Sequence, residues 1–407
     1  MAALLAQRDA GATGAASGAS ARLLLEACNA LLDVESAARS SAPGRGERVV
    51  LRSEDAVRSF LDQHGSLRGV RVVGVKAALS LAGVDLSGSD WRDVDASGSD
   101  LHGADASSAR LSKCLLSGAN LEGARLDDSS LASAALDGCD LRGASLARAD
   151  LSGARLSGAR LAGSTWDEAH IEDVDLEGAD AAGVDFSRAR MVASLKLART
   201  NLAGARLQGA KLPGVDLTTT TLRGAVLVQC LLTGANAEGV DIDGCDLTDS
   251  TLKRAMLRGL SGAGVRAHRT SFAEADLRQA RLPGLDAPHA DARGAVFEGA
   301  DLTGACFRGA SLDRAVLHRV IARNVVFDRA RLVAADIRSS SLAGATLRYA
   351  DLSHALLDRS TLVGATLTHA NLHRTSRDGT DVTDADLRGC RSTDADRARA
   401  EDFRRPT

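Results

Sequence analysis

Residues 119–163 read ANLEG ARLDD SSLAS AALDG CDLRG ASLAR ADLSG ARLSG ARLAG. A large apolar residue stands at the centre of every block, a small one two places before it, and Gly is common two places after. A five-residue period matches neither the 3.6 of an amphipathic helix nor the 2.0 of an alternating strand. Short, fixed self-similarity marks a solenoid. The blocks continue in both directions. Centres run in steps of five from Leu86 to Met191 and, one residue out of phase, from Leu197 to Leu387. Most are Leu, and only Gly262 and Arg377 are poor core residues. The residue inserted near Val192–Lys196 is expected to form a bulge or small loop in one corner.

Blocks such as ANLEG, ADLSG and CDLRG follow A(D/N)Lxx, and in this the chain resembles the pentapeptide-repeat family over most of its length. That resemblance implies a right-handed, four-sided β-helix with one pentapeptide per side and four per coil. The expected fold class is therefore an all-β solenoid, a right-handed quadrilateral β-helix. A small, mostly helical N-terminal cap region and a short C-terminal helix complete it. At a strand spacing of about 4.8 Å, roughly fifteen coils give a rod of roughly 70 Å. The physical reading agrees: two of every five side chains point inward, and the other three carry the Asp, Arg, Ser, Thr and Gly suited to corners and solvent.

Twenty residues per coil then dictates stacking. Trp166 is expected under Phe186, and Phe307 under Phe327. Where a centre is small, the residue two before it is large: Val94 with Ala96, Leu260 with Gly262, Leu285 with Ala287, Val320 with Ala322. This is volume compensation in a narrow core. Ala104 with Ala106 and Ala290 with Ala292 lack it, and are expected thin spots.

The chain divides into a low-complexity tail (1–20), an N-terminal cap region (21–83), an acidic repeat part (84–191), the register shift (192–196), a mildly basic repeat part (197–390) and a C-terminal capping helix or tail (391–407). Within the cap region, Ala21–Arg39 carries a helical stripe of Leu24, Ala27, Cys28, Leu31 and Leu32, and Ser41–Glu47 reads as a linker. Arg48–Arg52 reads as a short strand. Ser53 offers an N-cap, with Glu54 and Asp55 in the first turn of a helix that runs to about His64 and ends at Gly65. Val70–Val75 resumes an extended pattern. A solenoid end presents an open β-edge that must be covered; a separate partner-binding module is the alternative role for 21–83. Asp394–Arg405 reads as a charged helix with Phe403 its only large apolar group. In gyrase-protecting relatives such an element makes a dimer, so the resemblance leaves a homodimer open, although one Phe favours a simple cap.

Nothing in the sequence assembles a catalytic or metal site. Cys114, Cys139, Cys230, Cys245 and Cys390 all take the small inward position, and no two stack in neighbouring coils. They read as slightly larger alanines in a reduced, cytoplasmic protein, with a cytoskeletal or organellar assembly as the alternative. His369 and His373 have HxxxH spacing, but that gathers ligands only on a helix face. No nucleophile, base and orienting group can be named together. The expectation is no enzyme, no cofactor and no metal. No segment approaches the 18 apolar residues or more of a membrane span.

Charge separates two function classes. Residues 84–191 carry 20 acidic and 10 basic side chains, whereas residues 192–407 carry 25 and 30. Either Asp is simply the favoured residue before a centre, or the rod is polarised for a partner. The first class is a non-enzymatic structural scaffold that holds protein partners in a multi-subunit assembly, without direct nucleic acid contact. The second, implied by the family's quinolone-resistance members, is a DNA mimic that occupies a type II topoisomerase. A mimic should be acidic along its whole length, which favours the scaffold. An adaptor like the family members joined to a channel-tetramerisation domain is a third option, but residues 1–83 are short for one. The position before each centre turns apolar at Val296, Cys306, Val316, Ile321 and Val326. Val296, Val316, Ile321 and Val326 are the expected partner-binding residues, unless a slipped corner turns some of them inward.

Overall fold

The computed structural model describes residues 48–192 and 195–402. The expected tail at 1–20, the helical stripe of Ala21–Arg39, the linker Ser41–Glu47, Cys28 and Phe403 lie outside the described residues.

Every pentapeptide repeats one local act. Leu86 opens a tight turn that closes when the Ser89 amide donates to the Leu86 carbonyl at 3.0 Å. The second turn residue, Gly88, has φ 65°, the left-handed region that glycine enters without a Cβ clash. The residue before the centre is extended and pairs in parallel with its counterpart one circuit on: Asp85 with Asp105, Asp90 with Arg110, Asp95 with Leu115, Asp100 with Asn120. Four bridges at five-residue intervals thus complete a circuit. The turn consumes two residues of each five, so little extended chain is left on any side. Regular strands are correspondingly few. Most of the pairing is by single bridges, a leaner β content than an all-β expectation suggests.

Two places break the twenty-residue circuit. Ser66 pairs with Asp85 and Arg71 with Asp90, before Ser80 pairs with Asp100. The ladder therefore begins at Ser66, well before the expected boundary at residue 84. It was hidden because bridge positions Lys76 and Ser80 are four apart, which breaks the five-residue period. Later, strand β3 (His170–Glu172) pairs in register with β4 (Arg190–Val192), yet the next bridge joins Asp175 to Lys196. One residue is absorbed between these pairings.

Strand β1 (Val50–Leu51) adds in parallel to β2 (Arg71–Val72). Helix α1 (Glu54–His64) follows, with the Ser53 hydroxyl accepting from the Ala56 amide at 3.2 Å and Gly65 ending it at φ 67°. Its buried Ala56 and Val57 join the same apolar cluster as Leu67 and Val72. That cluster runs from Leu51 to Leu372. Beyond it the inward positions open to solvent, with Val382 at 38% and Leu387 at 36% exposure. Helix α2 (Ala395–Asp402) makes its polar contacts elsewhere, along the corner of His354, His373 and Arg374.

Most polar side chains that enter the core find a carbonyl, Ser129 being an exception whose buried hydroxyl has no partner among the described residues. At the small inward position, the Thr220 hydroxyl donates to Leu197 O at 2.8 Å, Ser340 to Leu317 O at 2.6 Å, and the Cys245 thiol to Leu222 O at 2.9 Å. Cys139, Cys230, Cys245 and Cys390 are thus more than enlarged alanines: they donate as Ser and Thr do. A small apolar cavity of about 20 Å³ lies among Leu101, Ala106 and Leu126, at the thin spot expected for Ala106. At Gly262 the backbone itself closes in. A Cβ there would stand 2.9 Å from the Ile242 carbonyl carbon, while Leu260 is buried beside it.

Candidate functional site

The ring pairs stand one coil apart. Trp166 and Phe186 have centroids 5.2 Å apart at 53°, and Phe307 and Phe327 5.6 Å at 22°. All four side chains are buried, which leaves them structural rather than available to a ligand.

The outward apolar residues occupy bridge positions. Val296 pairs with Val316, Cys306 with Val326, and Ile321 lies between Asp301 and Ser341. The centres that follow, Phe297, Leu317, Ala322 and Phe327, are buried, so the corner has not slipped. Ile321 is 45% exposed, while Val296, Val316 and Val326 are half-buried by their neighbours along the ladder. Val296 and Val316 continue a column that holds the exposed Met256 two circuits earlier, with Asp276 between.

The acidic residues of the same position have a local task. Asp85 Oδ1 accepts the Ser87 amide at 2.9 Å, Asp105 the Ser107 amide at 3.0 Å, and Asp150 the Ser152 amide at 3.0 Å. A carboxylate or amide one place before the centre thereby fastens the turn after it, which explains the D/N preference. Arginine two places on adds a fork. Arg142 holds Asp140 through Nε at 2.8 Å and Nη2 at 2.7 Å, and Arg160 of the next coil reaches the same carboxylate at 3.2 Å. Asp90, itself buried, is gripped by Arg92, which brings its carboxyl down to about 2. Burial acts the other way on thiols, raising Cys114, Cys139 and Cys245 to about 12 and Cys230 to about 11. Such thiols are inert.

Histidines gather where the sequence reading did not place them. His369 stacks on exposed Tyr349 at 4.9 Å, away from His373. His373 instead meets His354 of the preceding coil, with rings 5.5 Å apart at 82°. Glu401 of α2 joins both: its Oε2 lies 3.3 Å from His354 Nε2 and 3.2 Å from His373 Nε2. Arg374 Nε approaches the same oxygen at 3.4 Å, and its Nη2 bonds both Ala398 O and Asp402. The circuit length could have found the histidine pair, since positions 354 and 373 fall on neighbouring coils. Glu401 lies outside the repeat, and no period reaches it.

No helix among the described residues is long and apolar enough to cross a membrane. The family model for pentapeptide repeats matches residues 80–118, 114–153, 154–191, 200–236, 214–249, 230–261, 270–309, 310–348 and 350–389. Comparison with curated proteins gives no match. Among solved structures, full-length QnrB1, a plasmid-mediated fluoroquinolone resistance protein, shares 20% identity over 50% of this chain and 93% of its own, at a TM-score of 0.24. HetL, a pentapeptide repeat protein involved in heterocyst differentiation regulation in the cyanobacterium Nostoc, shares 23% over 84% of this chain and 96% of its own, at 0.16. A pentapeptide repeat protein of the Arabidopsis thaliana thylakoid lumen shares 27% over 25% and 71%, at 0.18. Proteins built from these repeats form right-handed quadrilateral β-helices and are generally non-enzymatic. Matched by the repeat model over well over half of its length, the chain belongs to the pentapeptide-repeat family.

Proposed function

We propose that this protein is a non-enzymatic scaffold whose β-helix rod holds protein partners within a larger, cytoplasmic assembly. One observation carries the reading: Val296, Val316, Ile321 and Val326 face outward from coils whose inward positions are already filled. Folding does not require apolar side chains there, and four of them gathered within two coils gain nothing unless something covers them. The test is Val316→Lys combined with Ile321→Glu. Proteins that co-purify with the parent from native cells should be lost, while circular dichroism and the melting point stay nearly unchanged. A double variant that unfolds, or that retains the whole bound set, removes the assignment.

The acid excess of residues 84–191 supports a second reading, a DNA mimic that binds a type II topoisomerase. Against it, much of that acid is engaged in fastening turns or paired with arginine, as at Asp140. Supercoiling assays separate the two. A mimic inhibits or protects the enzyme with a strong dependence on salt, whereas a scaffold leaves supercoiling untouched at micromolar concentration.

A further inference from the structure

His354 is the second turn residue of one coil, and His373 the first turn residue at the same corner of the next. Each aims Nε2 at one carboxylate oxygen of Glu401, at 3.3 and 3.2 Å, and the three candidate ligand atoms lie within 4.8 Å of one another. Bonds of about 2.0–2.1 Å to a tetrahedral ion separate adjacent ligand atoms by about 3.3–3.4 Å. The two contacts to Glu401 already have nearly that length. Two imidazole nitrogens with one carboxylate oxygen form a donor set suited to a borderline divalent ion, with a fourth position left for water. Among the described residues the thiols that would compete for such an ion are dispersed, and Cys114, Cys139, Cys230 and Cys245 are buried.

We propose that His354, His373 and Glu401 bind one divalent transition-metal ion, Zn²⁺ foremost, and that the ion clasps α2 to the β-helix. The helix has reason to need a clasp. It is eight residues long, too short to be stable alone, and its attachments to the coil are polar ones through Glu401, Asp402 and the Ala398 carbonyl. An ion shared between coil and helix joins segments that no apolar contact of a large side chain joins among the described residues of α2.

Two neighbours set how tightly the ion is held. The Asp394 amide donates to His373 Nδ1 at 3.1 Å, so the neutral ring carries its proton on Nε2 and offers it to Glu401. The ion takes that place; the proton moves to Nδ1, and the Asp394 amide releases the ring to water. Arg374 also competes, with Nε 3.4 Å from the Glu401 oxygen, but its pairing with Asp402 gives it an anchor when the ion arrives. Both exchanges cost affinity, so the site binds more weakly than a four-ligand structural zinc centre.

The experiment titrates the purified, metal-stripped full chain with Co²⁺ at neutral pH. Expected is a tetrahedral visible absorption band that saturates at one equivalent and disappears on addition of Zn²⁺. His354→Ala and Glu401→Gln, both at solvent-accessible positions, should each weaken binding about tenfold or more while keeping the parent's circular dichroism spectrum. Zn²⁺ should also slow proteolysis near α2 in the parent and not in either variant. An absence of saturable binding overturns the proposal. So does binding that survives both substitutions, which assigns the ion to other surface histidines.

Discussion

Trp166 and Phe186 are twenty residues apart in the chain and 5.2 Å apart in the core. Each coil is a tile laid on the one below, so a side chain's nearest apolar neighbour is set by circuit length. Leu141 and Leu146 lie fully buried in that column of tiles. Leu141→Asp or Leu146→Asp should disrupt several neighbouring coils and cost several kcal/mol, about 3 or more. Thermal melting followed by circular dichroism checks it; unchanged melts for both would mean the register is wrong.

Trp166 also depends on its small partner. Its indole Nε1 donates to Ser164 Oγ at 2.7 Å, and the hydroxyl in turn donates to Leu161 O at 2.6 Å. Ser89 and Trp91 repeat the arrangement at 2.9 Å. Ser164→Ala should therefore destabilise by about 1–3 kcal/mol, although alanine is the commonest residue at this position. The control is Ser129→Ala, where a buried hydroxyl at the same inward position serves no indole; a similar loss in both would show that the hydroxyl, not the orphaned N–H, is responsible.

Gly262→Ala should destabilise despite restoring a side chain to the poorest centre of the rod. The added carbon would meet Ile242 C at 2.9 Å and Asp243 N at 3.0 Å, both backbone atoms, and Val265 Cγ2 at 3.0 Å. Overpacking of this kind costs about 1–3 kcal/mol. Chemical denaturation measures it, and a gain in stability would show that the coil can widen there.

Asp90 gives an acid-dependent contribution of known sign. Arg92 lowers its folded pKa from 3.8 to about 2, so the carboxylate adds stability that is complete above the unfolded value and lost as pH falls through the folded one. The contribution is about 2 kcal/mol near neutral pH. Asp90→Asn should melt below the parent at neutral pH, and the gap should close as pH falls from 3.8 to about 2. A constant gap across that window would assign the loss to something other than the carboxylate charge.

The sequence by itself determined the circuit. Five-residue periodicity selects which two side chains face inward, and the four blocks per coil that the family resemblance implies then place Trp166 on Phe186 and Val296 beside Val316. The N-cap at Ser53 and the stop at Gly65 were equally legible, because capping is decided within four residues of chain. Tertiary structure decided what the period does not address. The first coil, from Ser66, was hidden by a four-residue step that breaks the pattern yet still closes on the coil above. The Asp preference became intelligible once carboxylates such as Asp85, Asp105 and Asp150 were found holding the amide two places on. The meeting of His354, His373 and Glu401 needed both the coil stacking and the return of α2 along one corner. A non-repeating helix carries no period, and its docking depends on polar groups whose partners only the folded chain brings within reach.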